Sequence, residues 1–405
     1  MKLLHVVPTY LPAWRHGGPA LAVHGLCRAL VARGHEVTVF TTNVHGAGTL
    51  EVPLEVPVPT DGVAVWYFPV ASPRRLYRSP ALGAALARWV ADFDLAHLHS
   101  VFLWPTAAAA RAAERAAVPY LVAPRGMLVG DLLRRRGRLR KHLWIRLVER
   151  RTLARAAGLH TTSDLEAAEV ARLGLAPTAV YVVPNGVDVE PWHPQRDGEL
   201  AAPVRAALGR HPLLLFLGRL SWKKGLDRLV LALAQVPDAT LAVAGNDEEG
   251  YRAHLDALAT AAGVANRILH LGPVHGADKA SLLHHADALV LPSYSENFAN
   301  VVLEAMAAGL PSVVTPEVGL AGVLQETGAG VVAEGDPQCF AAALRALLAD
   351  TERRRAMGRR GVMAARRFSW EAVAARMEEV YGEILSRNRT VARAARQTLA
   401  SGTIR

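Results

Sequence analysis

Short apolar runs alternate with helical stretches along this chain, and the alternation starts again halfway through. In the first pass Leu3–Val7, Glu36–Thr41, Val63–Phe68, Leu95–Leu98, Tyr120–Ala123, Gly158–Thr161 and Val180–Val183 have the length and apolar continuity of buried strands. Between them Pro19–Ala32, Ala81–Val90, Pro105–Ala117 and Asp164–Arg172 carry helical spacing, the first stopped by Gly34. The second pass sets strands at Leu213–Leu217, Thr240–Ala244, Arg267–Leu271 and Ala288–Leu291, and another begins at Val313 and Val314. Its helices run from Leu226 and over Tyr251–Ala262, Lys279–His285 and Asn300–Ala308, the last ended by Gly309 and Pro311. Three further helices are expected over Cys339–Leu348, Glu352–Ala365 and Glu371–Leu385. Apolar strands joined by helices call for a mainly parallel sheet covered on both faces. The pattern predicts an α/β chain of two βα domains with a long cleft between them. Pro184-Asn185-Gly186 is a turn, and the Pro-rich, aperiodic stretch that follows to about Pro212 is the expected connection. Residues 387–405 lose the period and are expected to form a basic, frayed tail.

At 405 residues and 51% hydrophobic, the chain can fill two such cores without staples, which excludes a disordered protein. Cys27 and Cys339 stand far apart and suggest neither a disulfide framework nor a zinc site, as expected for a reducing compartment. No apolar run of membrane-spanning length occurs, and the start of the chain reads as a first strand rather than a secretory signal. The expected location is cytoplasmic.

The net charge of +10 is unevenly placed. Residues 1–185 hold 22 Lys/Arg against 12 Asp/Glu, whereas residues 186–405 balance at 24 and 24. Arg134, Arg135, Arg136, Arg138, Arg140, Lys141, Arg146, Arg150, Arg151 and Arg155 face only Asp131 and Glu149. Leu139, Leu143, Trp144 and Leu147 recur among them at helical spacing. A helix over 132–155 with one apolar and one basic side can lie on an anionic bilayer, and it can equally be a domain helix with an arginine-rich solvent face. The aromatics are not interleaved as stacking platforms, so nucleic acid is not an expected partner.

The segment with most chemistry runs from Ser293 to Pro311. A strand ends at Leu291, a polar turn carries Glu296, and a helix opens near Phe298, Ala299 and Asn300. Amide groups at such a helix start lack internal partners and suit phosphate oxygens. Glu304, further along the helix, is costly if buried without a partner, and a ligand hydroxyl pair would satisfy it. Arg219 and Lys224 follow the strand Leu213–Leu217 and suit a diphosphate, with Lys223 beside them expected to face solvent. Gly17 and Gly18, after the first strand, let backbone approach a phosphate or sugar, and Arg15 and His16 precede them. Asn246, in Gly245-Asn246-Asp247, ends another strand where nucleotide contacts are expected, and Gly319 is placed to shape a sugar pocket. His97 and His99 share one side of their strand, and no nearby Cys or carboxylate completes a zinc set. No dinucleotide fingerprint or Walker A sequence is present.

The spacing of Glu296 and Glu304 resembles the E-x7-E signature of the retaining glycosyltransferases of family 4, the group 1 glycosyltransferases. The resemblance covers nearly the whole chain: Gly17-Gly18, Pro184-Asn185-Gly186-Val187-Asp188, Gly218-Arg219 with Lys224-Gly225, and Phe368-Ser369-Trp370 before a last helix. It implies a GT-B fold of two Rossmann-like βα domains facing across a cleft. The acceptor-binding domain would span 1–187, the nucleotide-sugar domain 188–370, and a helix over 371–386 would return to the first domain. It further implies a hexosyltransferase-type enzyme of bacterial polysaccharide or glycolipid biosynthesis that retains anomeric configuration. A nucleotide diphosphate sugar would be co-substrate, with no divalent metal or other cofactor required. The donor site would comprise Gly17, Gly18, Arg219, Lys224, Asn246, Glu296, Phe298, Ala299, Asn300 and Glu304. Glu296 would hold sugar hydroxyls, Glu304 the ribose, and Arg219 with Lys224 the diphosphate.

Many relatives place a histidine after the strand that here is Tyr120–Ala123. This chain has Pro124-Arg125-Gly126-Met127, a form carried by a related subgroup. Arginine stays protonated, so a role for Arg125 is electrostatic or positional, and His99 is the substitute candidate for the histidine. With the basic first half, the implied acceptor is a saccharide or a lipid-linked molecule, handled at the cytoplasmic face of the plasma membrane. The alternatives are a non-catalytic sugar- or nucleic-acid-binding protein and, within the fold, a nucleotide-sugar epimerase or a phosphorylase.

Overall fold

The computed structural model describes residues 1–13, 18–128, 144–175, 177–189, 200–247 and 249–401. Arg15, His16 and Gly17, and most of the expected basic helix, therefore lie outside the described residues. The chain forms two compact units, residues 1–186 with 370–405, and residues 187–369.

Unit 1 is built on β1 (Lys2–Val7), β2 (Glu36–Thr42), a small hairpin of β3 (Val44–His45) and β4 (Gly48–Thr49), β5 (Pro57–Thr60), β6 (Val63–Phe68), β7 (Leu95–His99), β8 (Tyr120–Ala123), β9 (Gly158–Thr161) and β10 (Val180–Val182). Eight of these form one sheet in the order β10-β9-β8-β7-β1-β2-β6-β5. All neighbours pair parallel except β5, which adds an antiparallel edge to β6. β5 and the hairpin escaped the sequence pattern, because Pro57, Pro59 and two-residue strands carry no apolar period. The inner strands are buried on both faces, as crossover helices require. One face packs on the helix Gly18–Ala32 and on the helix that opens at Trp370. The other packs on Pro80–Trp89 and Trp104–Ala116.

The last helix runs Trp370–Ser401, well past the Leu385 at which the apolar spacing stops. It belongs to unit 1, where Val373, Ala374, Met377, Val380, Tyr381 and Ile384 are buried. Trp370 is its anchor: a Cβ added at Gly25 or Gly186 would fall 2.3 or 2.4 Å from the Trp370 ring, so only glycine leaves the indole room on either side. Anything larger than glycine at position 186 would push the Pro184-Asn185-Gly186 turn away from that ring.

Unit 2 has β11 (Leu213–Leu217), β12 (Thr240–Ala244), β13 (Ile268–Gly272), β14 (Ala288–Leu291), β15 (Ser312–Val314) and β16 (Gly330–Val332). They form a wholly parallel sheet ordered β13-β12-β11-β14-β15-β16. The order reverses at β11, so the loops after β11 and β14 leave the same edge in opposite directions, the place where such sheets bind ligands. The stretch expected as a connection contributes Ala202–Leu208, a short helix whose Val204 and Ala207 join the unit 2 core. Its apolar residues are too few to show a helical period.

Candidate active site

In unit 2 the charged residues gather where strands end. β11 leaves through Gly218, and a Cβ on Gly245, at the exit of β12, would lie 1.8 Å from the Gly218 carbonyl oxygen. The chain then makes a turn over Trp222–Lys224 and passes Gly225 at φ +65°, where a Cβ would sit 1.9 Å from the Pro292 carbonyl oxygen. That close approach presses the β11 exit onto the β14 exit, and Tyr294 N–H donates to the Lys223 carbonyl at 2.7 Å. The consequence is an ion pair between Lys224 Nζ and Glu296, both largely buried.

The Glu296 segment is itself clamped from β15. Its N–H donates to the Glu317 carbonyl at 3.0 Å, and its carbonyl accepts from Gly319 at 2.9 Å. A Cβ on Gly319 would meet the Asn297 oxygen at 2.0 Å, so Gly319 backs the Glu296 turn directly. Phe298 is buried, and Ala299 takes a left-handed φ of +72° before the helix Asn300–Ala307. That conformation costs a non-glycine residue about 1 kcal/mol. Such strain persists only where surrounding contacts fix it.

Glu304 does not wait for a ligand to supply its partner. Lys279, on the helix Gly276–His285, reaches its carboxylate at 2.6 Å. No local period marks this pair, because 25 residues separate the two. Arg219 is exposed, and Lys223, expected to face solvent, is half-buried. Burial pulls the Lys223 ammonium down to about 8, against the pull of Glu296, while Arg219 and Lys224 add like charge. Asn246 is half-buried, and its carbonyl accepts from Leu220 N–H at 2.9 Å. Asp247 caps the next helix through Tyr251 and Arg252 N–H.

In unit 1 Gly18 opens its helix, and the remaining candidates meet at the exit of β8. Arg125 has φ +56° and Gly126 φ +75°, two left-handed residues in succession. Buried Glu166 holds this turn, accepting from Gly126 N–H at 2.6 Å and Thr162 N–H at 2.8 Å. The Arg125 side chain is gripped on two sides. One Nη donates to Asn185 Oδ1 at 2.7 Å. The other Nη and Nε reach His99 Nδ1 at 3.2 and 3.4 Å.

His97 and His99 are both buried, at 0% and 1% exposure, so neither imidazole is presented at the surface. They are joined by His5 on β1 and His160 on β9, which carry no signal in the sequence because each stands alone in its own strand. The ring nitrogens of His5, His97 and His99 lie within 4.8 Å of one another, the group among the described residues with metal-ligand spacing. Burial holds all four imidazoles far below their usual range, His5 and His160 to about 3.

The described part of the basic segment comprises Ile145–Glu149 and Arg150–Arg155. Glu149 is no counter-charge to the arginines: it is buried and accepts from Phe102 N–H at 2.6 Å and Trp144 Nε1 at 2.8 Å. Arg151 and Arg155 pair instead with Glu114, at 3.3 and 2.8 Å. Leu147 is 64% exposed. No helix among the described residues is long and apolar enough to cross a membrane.

Comparison with known proteins gives a consistent result for both units. The family described as "Glycosyl transferase 4-like domain" matches residues 17–186, and "Glycosyl transferases group 1" matches residues 203–363. A D-inositol 3-phosphate glycosyltransferase of Xylanimonas cellulosilytica is 31% identical over 401 residues, covering 92% of this chain and 93% of its own. One from Stackebrandtia nassauensis is 30% identical over 416 residues, covering 96% and 91%. Among solved structures, sucrose-phosphate synthase from Thermosynechococcus elongatus superposes with a TM-score of 0.76 at 22% identity, over 95% of this chain and 99% of that one. The Anabaena protein HepE, in complex with UDP and glucose, gives 0.74 at 20% identity, over 95% and 100%.

Proposed function

The chain belongs to the group 1 glycosyltransferases, and from that premise we propose how its residues share the reaction. It is a GT-B enzyme that moves a sugar from a nucleotide-sugar donor to an acceptor. In our reading unit 2 binds the donor and unit 1 the acceptor. Lys224 and Arg219 neutralise the diphosphate, Glu304 holds the ribose, and Glu296 orients the sugar hydroxyls.

The observation that carries this reading is the Lys224–Glu296 ion pair. A diphosphate is a stronger partner for an ammonium than a single carboxylate. On donor binding Lys224 exchanges Glu296 for phosphate oxygens, and the released carboxylate turns to the sugar. Cleavage of the bond from the anomeric carbon to the phosphate oxygen leaves negative charge on the phosphate. Fixed cations stabilise that charge most where it develops. The acceptor oxygen then bonds to the same face of the anomeric carbon, and its proton passes to the departing phosphate oxygen, so configuration is retained. These two cations supply the charge that a divalent ion would otherwise bring. Arg125 adds a fixed positive charge in unit 1, where the family resemblance implies a histidine.

The acceptor we propose is anionic. The excess charge of residues 1–185 favours a phosphate-bearing polyol, and the relatives are named for D-inositol 3-phosphate. The exposed Leu147 beside basic residues favours a second setting, a lipid-linked acceptor at the cytoplasmic face of an anionic membrane reached through residues 132–155. Co-sedimentation with anionic vesicles at low salt tests it, and recovery wholly in the supernatant rejects it.

A thermal-shift screen with UDP, GDP, ADP and dTDP, with and without magnesium, comes first. The expected result is a stabilising shift with one nucleotide, unchanged by magnesium. With that donor, Lys224→Ala and Arg219→Ala each lower turnover by about 10²-fold or more. Near-normal turnover in both variants would sink the assignment of these residues.

A further inference from the structure

Four buried histidines surround the back of Arg125, and their hydrogen bonds, together with the burial that keeps His160 neutral, place every proton. His160 Nε2 lies 2.8 Å from the Val183 carbonyl oxygen, which can only accept, so this nitrogen carries the hydrogen. A neutral His160 therefore accepts at Nδ1, 3.2 Å from His97 Nε2, and His97 must donate from Nε2. His97 Nδ1 is then an acceptor, and the Tyr381 hydroxyl donates to it at 2.7 Å. The second train starts from the other end. The Arg125 guanidinium can only donate, so His99 Nδ1 accepts. His99 Nε2–H donates to His5 Nδ1 at 3.0 Å. His5 is left with a buried Nε2–H that has no hydrogen-bond partner. All four rings come out as the neutral Nε2–H form.

We propose that His99 is a positioning residue for Arg125: its bare Nδ1 holds the guanidinium in place, and the imidazoles behind it stay neutral, adding no positive charge to that of Arg125. The groups that face this cluster are His5 from β1, His97 from β7, His160 from β9, Cys27 from the Gly18–Ala32 helix and Tyr381 from the last helix. None of those against the imidazoles is a carboxylate; Glu166, from the helix Asp164–Arg172, acts on Arg125 itself. Burial disfavours charge on each imidazole, in agreement with the proton positions. A protonated His99 would turn Nδ1 into a donor aimed at a cation. The left-handed backbone of Arg125 and the Glu166 staple on Gly126 fix the other end of the same side chain. Asn185, the second acceptor, is also neutral. Arg125 is thus fixed by hydrogen-bond partners that carry no charge of their own, with Glu166 as the buried carboxylate near it, which suits a cation placed to stabilise a developing anion.

The inference rests on the reading of Arg125 as a fixed charge in the reaction, and two experiments separate them. Long-range proton–nitrogen correlation spectra of the full chain, labelled at histidine, read the tautomers without any activity. The expected spectrum shows four neutral Nε2–H imidazoles at pH 7 that stay neutral at pH 5. A cationic His99, or its Nδ1–H form, at pH 7 overturns the proposal. So does a stoichiometric change at the His5, His97 and His99 nitrogens on adding zinc, since those nitrogens would then be metal ligands.

The kinetic experiment compares His99→Leu, which has no acceptor, with His99→Asn, whose side-chain oxygen can take the place of Nδ1. His99→Leu is expected to lower kcat by about tenfold or more with the donor KM unchanged, and His99→Asn to recover most of it. Equal losses in the two variants mean a packing role only and overturn the proposal. Arg125→Gln is the control. If it loses turnover while His99→Leu does not, the positioning role falls alone. If Arg125→Gln turns over normally, the reading of Arg125 falls and the proposal falls with it. If His99→Leu fails to fold, the tautomers of the unaltered chain decide.

Discussion

The two units wind parallel strands in the same way and bury different chemistry. In unit 2 the strands turn leucine, valine and alanine inward, and its buried polar side chains among the described residues are Ser281, Ser293, Ser312 and Thr315. Unit 1 buries His5, His24, His97, His99, His160, Glu149 and Glu166. Their cations are held differently as a result. Lys224 and Lys279 of unit 2 stand against carboxylates, so an incoming anion can displace a partner. Arg125 of unit 1 donates to a neutral imidazole and a neutral amide. An aliphatic core supports charges only at its margins, at strand ends and between helices, where they stay exchangeable. A core with neutral, hydrogen-bonded polar groups can instead fix a charge from behind.

The largest effect should come from breaking the exit geometry of unit 2. Gly225→Ala places a Cβ 1.9 Å from the Pro292 oxygen at a left-handed φ. It should destabilise unit 2 by about 2–4 kcal/mol and separate Lys224 from Glu296. Denaturation followed by tryptophan fluorescence should then show an early transition, and a single unshifted transition would count against the close approach. Tyr381→Phe breaks the contrast from the other side. It leaves His97 Nδ1 buried without its donor, a loss of about 1–3 kcal/mol that should fall on unit 1 alone. An unchanged denaturation midpoint would remove the hydrogen-bonded train. The smallest effect concerns Lys223, held near 8 by burial. A diphosphate favours its charged form, so donor binding should take up a proton at that pH. Donor affinity should fall as pH rises through about 8, by at most about tenfold per pH unit. Titration calorimetry in buffers of different ionisation heat measures the uptake, and Lys223→Met should abolish it.

Much of this architecture is legible in the order of residues. Apolar runs such as Val63–Phe68, Gly158–Thr161 and Leu213–Leu217 coincide with strands because a doubly covered strand has no choice of face. Glu296, Glu304, Arg219 and Lys224 stand out by spacing within single loops and helices. What stays hidden is what the sheet order brings together. His5 and His97 are neighbours through the pairing of β1 with β7, across about 90 residues, and no local period records that. Lys279 meets Glu304 between helices, and Glu149 lies among arginines in sequence yet turns inward to Phe102 and Trp144. A left-handed alanine at 299 or arginine at 125 is equally invisible, since neither residue type favours that conformation.

The chain leaves unit 1 after Gly186 and returns at Trp370, so unit 2 is spelled out inside its neighbour. On the ribosome the eight-stranded sheet is complete in composition while the helix that covers Val23, Leu26 and Leu95 has not been made. At ordinary synthesis rates the wait is roughly 10–40 s. For that interval unit 2 can mature while unit 1, begun first, keeps an apolar face open to chaperones and to other nascent chains. The order of folding would then run against the order of translation.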